Sequence, residues 1–545
     1  MKIRLLTVAI ASLLLQGCIK EKYDLNKVHG TYDPSVAAPL INSTITAEDI
    51  LVKADPNDEV QSEQDGLMFL IYDSETFSVN IGDLAQFPNQ TYNNNIAIGP
   101  AQAASLNSGT PVNISAPTQT LSFTPTGTAG NIDLDEIKFK SGDLEFTINN
   151  NVPKNATVTI SIPELRDAFG ASFSEVVNVN ASQNSNVVYP LDNYVADLTN
   201  GGTTVNELDV DYSVNFAAGA GVASGGDDID FTQEFNNIEY YHVVGDFGNQ
   251  NIDVLKDTIL VSVFDNEANG FFQLTDTRLK LTFNNSLGLP LNVSIDTLQS
   301  QNLNTGTLTD ILYTTFVNPF GINYPSLANI GTSETYIDSI YKDNSLISDI
   351  ITPAPKNVIY KITAETNPTG STPVSRNFIT DSSRIDVEAE LKLPLVGFAH
   401  SWSFEDTVAI DLSGETDNDI EEIQRVLLRL NIDNGFPFNA RLQVYLTDSN
   451  QVVLDSLMTN GVESLINGGQ INGNGIVIAP TNKITDITIE RAQVPNIFNA
   501  KYAIIKAYGE TNNAGPSAAN PEVKIYDYYT FKVRAGAKVD TQIEF

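Results

Sequence analysis

The chain has 545 residues and a formal net charge of −37, because 30 lysines and arginines face 67 aspartates and glutamates. Such a charge repels nucleic acid and favours cations or basic partners, which excludes a nucleic-acid-binding protein. Cys18 is the only cysteine, so internal disulfides, thiolate metal sites and thiol catalysis are excluded as well. The fold must therefore depend on hydrophobic cores, and a chain of this length can form several.

The N-terminus predicts export. A short basic stretch precedes an apolar run, residues 5–15, which is too short to span a bilayer as a mature helix and is typical of a signal peptide. The run ends in LQGC, residues 15–18, which resembles the lipobox of bacterial lipoproteins, although Gln16 departs from that pattern. The resemblance implies removal of residues 1–17 and attachment of several acyl chains to Cys18, which anchor a protein stably. The alternative is an ordinary secretory signal followed by a chance cysteine.

Residues 18–35 are polar and unpatterned, and they are predicted to form a lipidated tether between the anchor and the first domain. Surface-exported lipoproteins of Bacteroidota often carry an acidic signal directly after the cysteine. Lys20-Glu21 matches this signal only in part. The predicted location is the outer membrane, with the cell surface favoured over the periplasmic face and both left open.

A strand, a turn beginning at an asparagine and a second strand occur three times. Apolar and polar residues alternate on both sides of the turn, as half-buried strands require. A turn that tolerates positive φ, as in Asn434-Gly435, predicts a hairpin. The three copies are residues 144–160, 279–295 and 428–444, and their turn asparagines are Asn150, Asn285 and Asn434.

Further strand-like segments extend the repeat. DTI at 257–259 and DTV at 406–408 each begin 28 residues before their turn asparagine. A strand-like run also follows each predicted hairpin, at 210–216, 358–366 and 502–511. The period is too long for a solenoid unit and suits a whole domain.

The predicted fold is all-β, with three tandem antiparallel β-sandwich domains. Their predicted ranges are 36–225, 226–375 and 376–545, and the first has an apparent insertion at 65–84. The Gly-rich stretch 217–228 and a polar stretch at 367–377 are interpreted as the seams between domains.

The repeated segment resembles the late-embryogenesis-type β-sandwich, in which a strand meets Asn-x-x-Pro before the next strand. It is more similar to repeat-containing outer-membrane lipoproteins of Bacteroidota, and this resemblance covers most of residues 36–545. The shared motif is structural, so the resemblance implies an Ig-like or late-embryogenesis-like sandwich and supplies no catalytic residues.

One acidic loop is a candidate calcium site. Oxygen-bearing side chains occupy positions 1, 3, 5, 7, 9 and 12 of a twelve-residue stretch, which is the spacing of an EF-hand loop. Thr416 stands where the EF-hand turn needs glycine, and the predicted flanks are strands, so a solvated acidic loop is the alternative. The candidate Ca²⁺ ligands are Asp411, Ser413, Glu415, Asp417, Asp419 and Glu422.

Aspartate followed by Ser or Thr and an aliphatic residue occurs five times. This is similar to the O-glycosylation acceptor motif of exported Bacteroidota proteins; the alternative is a turn that ends in Asp before a strand begins. The candidate acceptors are Thr258, Thr297, Ser339, Thr407 and Ser456.

No pattern of reactive residues recurs with the repeat. The three histidines are scattered, and no metal-binding or nucleophile-elbow motif is present. We therefore predict a non-enzymatic outer-membrane lipoprotein, a structural or accessory subunit that contacts protein partners in an outer-membrane assembly. A surface glycan-binding or adhesion lipoprotein with calcium-stiffened loops is the second hypothesis, and a hydrolase with a paired-carboxylate cleft is the third.

Overall fold

The structure, a computed structural model, describes residues 30–48, 60–80, 85–126, 132–261, 271–302, 305–351, 355–370, 376–400, 402–409, 421–458, 464–511 and 522–544. These residues form many antiparallel strands and a few short helices, which confirms the predicted all-β fold. No helix among them is long and apolar enough to cross a membrane.

The elements are numbered in chain order. Residues 30–80 contain β1 (Thr31–Tyr32), β2 (Ser35–Thr46), β3 (Val60–Ser62), β4 (Met68–Asp73) and β5 (Phe77–Asn80). Residues 85–246 contain β6 (Gln90–Ala97), α1 (Pro100–Asn107), β7 (Val112–Ser115), β8 (Gln119–Ser122), β9 (Asp133–Asn150), β10 (Ala156–Arg166), β11 (Ser172–Val179), β12 (Asn184–Pro190), β13 (Val195–Asp197), β14 (Glu207–Phe216) and β15 (Asp228–Asp246). Residues 251–400 contain β16 (Asn251–Leu260), β17 (Phe271–Leu274), β18 (Arg278–Asn285), β19 (Leu291–Asn302), β20 (Leu308–Asp310), β21 (Phe320–Ile322), a 3-10 turn (Leu327–Asn329), β22 (Glu334–Tyr341), α2 (Ile347–Ile351), β23 (Pro355–Thr366), β24 (Asn377–Thr380), β25 (Arg384–Pro394) and β26 (Val396–His400). Residues 402–544 contain β27 (Trp402–Ala409), β28 (Ile423–Asn434), β29 (Phe438–Thr447), β30 (Val453–Ser456), β31 (Ser464–Ile466), β32 (Gln470–Ile471), β33 (Val477–Ala479), β34 (Thr481–Glu490), α3 (Val494–Asn499), β35 (Tyr502–Thr511), β36 (Val523–Lys524), β37 (Thr530–Thr541) and β38 (Ile543–Glu544).

Strand pairing defines three β-sandwich modules with the same topology. In module 1 the two layers are β12-β9-β15-β6, on which β24 also pairs with β15, and β11-β10-β14-β7, with β8 also on β14; β13 pairs with both β9 and β10 and joins the layers at one side. In module 2 they are β22-β18-β25-β4-β3, with β5 also on β25, and β20-β19-β23-β16, with β21 also on β19. In module 3 they are β34-β28-β37-β2 and β30-β29-β35-β27, with β31 also on β29.

The modules are nested along the chain rather than consecutive. Strand β2 pairs with β37, Ser35 opposite Asp540, so module 3 consists of residues 30–48 and 402–544. Strands β4 and β5 pair with β25, so module 2 consists of residues 60–80 and 251–398. Module 1, residues 85–246, lies between the two parts of module 2. Module 3 is one compact unit of the chain, and modules 1 and 2 together form the other.

This pairing differs from the predicted domain boundaries 36–225, 226–375 and 376–545. Strand β15 begins after residue 225 but forms fifteen register pairs with β9 of module 1. The apparent insertion at 65–84 contains β4 and β5, which belong to module 2. The Gly-rich stretch 217–228 lies inside module 1, between β14 and β15, where Lys154 Nζ donates to the carbonyl of Gly219 at 2.6 Å. A loop between two strands of one sandwich has the same composition as a linker, which explains the misplaced seams.

The turn asparagines lie at corners between sheets, so the predicted hairpins are wrong. Strand β18 pairs with β22 and β25, whereas β19 pairs with β20, β21 and β23, and no pairing joins β18 to β19. The equivalent strands β28 and β29 are divided between sheets in the same way, with β34 and β37 on one side and β30, β31 and β35 on the other. The chain therefore crosses from one layer of the sandwich to the other at each asparagine.

Each corner asparagine is buried and bonds to backbone in the same pattern. The side chains of Asn150, Asn285 and Asn434 are between 0 % and 2 % exposed. In each, Oδ1 accepts from the backbone N–H two residues later, at 3.1, 2.9 and 2.9 Å. In each, Nδ2 donates to the carbonyl of the residue directly after an edge strand, at 3.0, 2.9 and 3.0 Å. The accepting residues are Asn180, Asn323 and Asn467. One amide thus fixes the corner and ties it to the edge strand, which satisfies buried backbone groups that would otherwise be costly.

Candidate functional site

Several predicted site residues lie outside the described residues. These are the lipidation residue Cys18 and all the calcium candidates except Glu422. The carbonyl of Glu422 accepts from the N–H of Gln542 at 2.7 Å, a backbone contact at the start of β28. The lipid anchor and the calcium loop remain predictions.

The five candidate acceptors of O-glycosylation lie on strands rather than in loops. Thr258 and Thr407 are exposed, on β16 and β27, which are equivalent strands of modules 2 and 3. Thr297, Ser339 and Ser456 are half-buried. The structure does not bring the five together.

Three of the preceding aspartates have a local structural role. Asp257, Asp338 and Asp455 each accept a hydrogen bond from the N–H of the next residue, at 2.7, 2.7 and 2.8 Å. This bond holds the Asp side chain alongside its own strand. Asp-Ser/Thr at these positions therefore has a folding function whether or not the hydroxyl is modified.

The three modules differ on the side formed by the two edge strands that follow the corner, which we call the late edge. In module 1 the late edge is β11 and β12, and an aromatic cluster closes it. Phe173 on β11 contacts Phe146 at 6.2 Å, Tyr189 on β12 at 5.2 Å and Tyr194 at 6.4 Å between ring centroids. Such ring contacts add to the apolar area buried between the sheets.

Module 2 closes its late edge, β21 and β22, in the same way. Phe320 on β21 contacts Phe283 on β18 at 5.8 Å and Tyr336 on β22 at 5.7 Å. Phe316 adds a third ring at 5.8 Å from Phe320. One phenylalanine thus joins both sheets in each of these modules.

Module 3 instead has a cavity of about 270 Å³ at its late edge, which we call the late-edge pocket. It lies between β30, β34 and α3, and no aromatic ring lines it. Its floor is formed by Leu446, Ile487 and Ile489, all buried and continuous with the core cluster of Met458 and Val494. The complete lining is Leu446, Asp455, Ser456, Leu457, Ile487, Thr488, Ile489, Gln493 and Ile497.

A single carboxylate lies in this pocket. Asp455 Oδ1 accepts from the N–H of Ser456 at 2.8 Å and from Gln493 Nε2 at 3.4 Å. Asp455 Oδ2 accepts from Asn496 Nδ2 at 3.2 Å. All three donors are neutral, so these bonds orient the carboxylate without neutralising its charge. Ser456 Oγ donates to the carbonyl of Met458 at 3.4 Å, which places this candidate acceptor at the same wall.

The arrangement has features of a binding pocket. The accessible lining is mainly polar, and its side chains converge on the Asp455 carboxylate, as the polar groups of a binding pocket do. Among the described residues Asp455 is the only carboxylate in the lining, and acid–base hydrolysis of a glycoside needs a second one. Within the part of the chain that the structure describes, no cluster of three or more His, Cys, Asp or Glu residues could hold a metal ion.

Sequence reasoning singled out Ser456 as an acceptor but missed the pocket beside it. Gln493 and Asn496 belong to a short helix that carries no recognisable motif. The available signal was a contrast between repeats, since the first two have aromatic residues at the late edge and the third has aliphatic and polar ones.

Comparisons with known proteins find similarity to solved structures only. No known protein family matches the chain, and no curated protein matches its sequence. A protein of Parabacteroides distasonis described as secreted is similar over 55 % of this chain and 89 % of its own, with 11 % identity and a TM-score of 0.32. The VP2 subviral particle of infectious bursal disease virus matches 92 % of this chain and 87 % of its own, with 10 % identity and a TM-score of 0.14. Similarities at this level carry no functional inference.

Proposed function

We propose that the protein is a non-enzymatic outer-membrane lipoprotein that acts as a structural or accessory subunit of an outer-membrane assembly through protein–protein contacts. The observation that carries the proposal is what the three modules share. They repeat a topology and a buried asparagine corner, whereas the late-edge pocket with Asp455 lies in module 3. A repeated β-sandwich topology that carries a binding pocket in one copy suits a scaffold better than an enzyme.

The surface of the protein supports protein contacts. Phe169 is 96 % exposed at the turn between β10 and β11. The Asp167 side chain accepts from the N–H groups of Phe169 and Ala171, both at 2.9 Å, which makes the turn rigid. A large apolar side chain presented on a rigid turn is a typical anchor for a partner. The charge of −37 would direct basic partners toward the chain.

The lipid anchor at Cys18 and its outer-membrane location are part of the proposal, with the surface face favoured. Modification of an exposed acceptor, Thr258 or Thr407, is compatible with such a location. Intact-mass measurement of the mature protein tests acylation and glycosylation directly. We expect a mass increase from acyl chains that Cys18→Ser abolishes, and a separate increase from glycan if Thr258 or Thr407 is modified.

The decisive experiment is affinity purification of the native lipidated protein after gentle detergent extraction. We expect a stoichiometric membrane protein partner, and we expect that Cys18→Ser, released from the membrane, recovers less of it. Recovery of the protein alone under conditions that preserve other outer-membrane complexes would overturn the proposal.

A further inference from the structure

We infer that the late-edge pocket of module 3 receives the basic side chain of a lysine or arginine from a protein partner, an inference that rests on the proposed function. The first support is the size of the pocket. Its volume of about 270 Å³ is below the range of about 300–1,000 Å³ that is usual for sites of drug-sized ligands. A cavity of this size accommodates one long side chain rather than a whole cofactor.

The second support is the chemistry of the lining. A basic side chain has an apolar stem and a charged end. The half-buried residues Leu457 and Ile497 provide a surface for the stem, and Asp455 provides a carboxylate for the charged end. The pocket thus has the two features that such a side chain needs.

The third support is the unneutralised charge of Asp455. Its three hydrogen-bond donors, the Ser456 N–H, Gln493 and Asn496, are neutral. Among the described residues, no lysine or arginine forms an ion pair with it, in contrast to Asp433, Asp486 and Asp540 of the same module. A cation that enters the pocket would therefore complete an ion pair that the chain itself leaves open.

The fourth support is the comparison between modules. Phe173 fills the late edge of module 1, and Phe320 fills that of module 2. Phe173 lies opposite the strand residue twelve positions after the corner asparagine, and in module 3 Asp455 takes that position, opposite Leu446. A change from an aromatic seal to an acidic pocket has no folding benefit, because a cavity and a half-buried charge both reduce stability.

The test uses the complete mature chain and two short peptides, acetyl-Gly-Lys-Gly-amide and its norleucine counterpart. Norleucine has the same stem and lacks the ammonium group. Isothermal titration calorimetry should show binding of the lysine peptide at least about tenfold tighter than the norleucine peptide, the size of effect expected from one partly desolvated ion pair. Equal affinities would overturn the inference.

Asp455→Asn keeps the shape and the acceptor oxygen while it removes the charge. We expect it to weaken the lysine peptide about tenfold, and Ser456→Phe, which fills the cavity, to abolish binding. Asp448→Asn is the matched control, because Asp448 is a half-buried turn residue, as Asp455 is half-buried, and it also accepts backbone N–H groups. Unchanged melting temperatures of Asp455→Asn and Asp448→Asn establish that the comparison concerns binding. If Asp455→Asn binds as the unmodified chain does, the carboxylate is not the recognition element.

Two further measurements complete the test. Cadaverine binding distinguishes a free amine from a protein side chain, and comparison of co-purification with peptide binding distinguishes the pocket inference from the proposed function. Cadaverine that binds tenfold more tightly than the peptide would overturn a protein partner in favour of a free amine. A partner that co-purifies while the lysine peptide fails to bind would overturn the pocket inference alone. A peptide that binds while nothing co-purifies would overturn the proposed function alone.

Discussion

Modules 1 and 3 have the same eight-position topology and the same asparagine corner, yet their late edges are opposite in character. Module 1 closes with the ring of Phe173 between its sheets, and module 3 leaves a cavity beside Asp455. The corner is shared because each copy must cross between layers with its backbone groups satisfied. The late edge can vary because the remaining core already holds the sheets together. The shared topology and asparagine corner thus form the scaffold, whereas a binding role is best sought at the late edge, where the modules differ.

The largest expected effect tests the nesting itself. A chain that begins at residue 47 lacks β1 and β2, and β37 then loses one of its two neighbours. Because β37 is central in its sheet, we expect module 3 to unfold while module 1 remains intact. Hydrogen exchange followed by mass spectrometry should show lost protection in β28 and β37 and unchanged protection in β9 and β15.

The control for this experiment is a chain that begins at residue 30, which retains β1 and β2. Tandem domains would give the opposite result, with damage confined to residues 36–225. Such a pattern would contradict the nested arrangement.

The second prediction concerns the aromatic seal of module 1. Phe173→Ala removes a ring that is 3 % exposed and contacts three others, so it should destabilise the module by about 3–5 kcal/mol. Phe169→Ala is the matched control, since the same substitution at a side chain 96 % exposed should change stability by less than about 0.5 kcal/mol. Urea unfolding measures both. Similar losses for the two variants would show that the late edge does not depend on its ring cluster.

Sequence patterns predicted the strands of these modules better than their partners. Alternation located β9, β18 and β28 and the runs that became β14, β23 and β35. Alternation is the same whether the next strand pairs beside the first or crosses to the other sheet, so the corner was interpreted as a hairpin. A second asparagine directly follows an edge strand in each module, at positions 180, 323 and 467. Its backbone carbonyl accepts the hydrogen bond from the corner asparagine, a contact that only the three-dimensional structure reveals.

The nested order could not be obtained from local pattern either. Residues 68–80 form a clear strand segment, but nothing in them indicates a partner near residue 390. Closing so long a loop costs only slightly more entropy than closing a short one, so the chain is free to insert whole modules between paired strands. The pocket was missed for a related reason: its lining comes from β29, β30, β34 and the start of α3, and three-dimensional proximity alone unites them.

The third prediction concerns the asparagine corner, where the expected effect is somewhat smaller. Asn150→Ala leaves the N–H of Val152 and the carbonyls of Lys154 and Asn180 without their bonds. Because buried unpaired groups cost about 1–3 kcal/mol each and some will find water, we expect a loss of about 3 kcal/mol in the free energy of unfolding.

Asn215→Ala is the matched control for the corner, because Asn215 is exposed near the end of β14 in the same module. Its replacement should be close to neutral. Differential scanning calorimetry of both variants reports the loss. If Asn150→Ala melts within a degree of the control, the buried amide does not fix the crossing between sheets.

The smallest expected effect is a pH dependence in module 3. Hydrogen bonds from Ser35, Arg425 and Lys538 hold the pKa of the Asp540 carboxyl well below its usual value, and Asp540 thereby links β2, β37 and β28. Since the folded-state pKa is depressed, this contribution is present above the unfolded pKa of about 4 and is lost as pH falls toward the folded value. Asp540→Asn should therefore lower the melting temperature of module 3 slightly at pH 7, and the difference from the unmodified chain should shrink below about pH 4. Glu544→Gln, on β38, is the control and should show no such convergence. A difference that persists unchanged at pH 2 would mean that the substitution acts through packing, and the three-strand clamp at Asp540 would not be electrostatic.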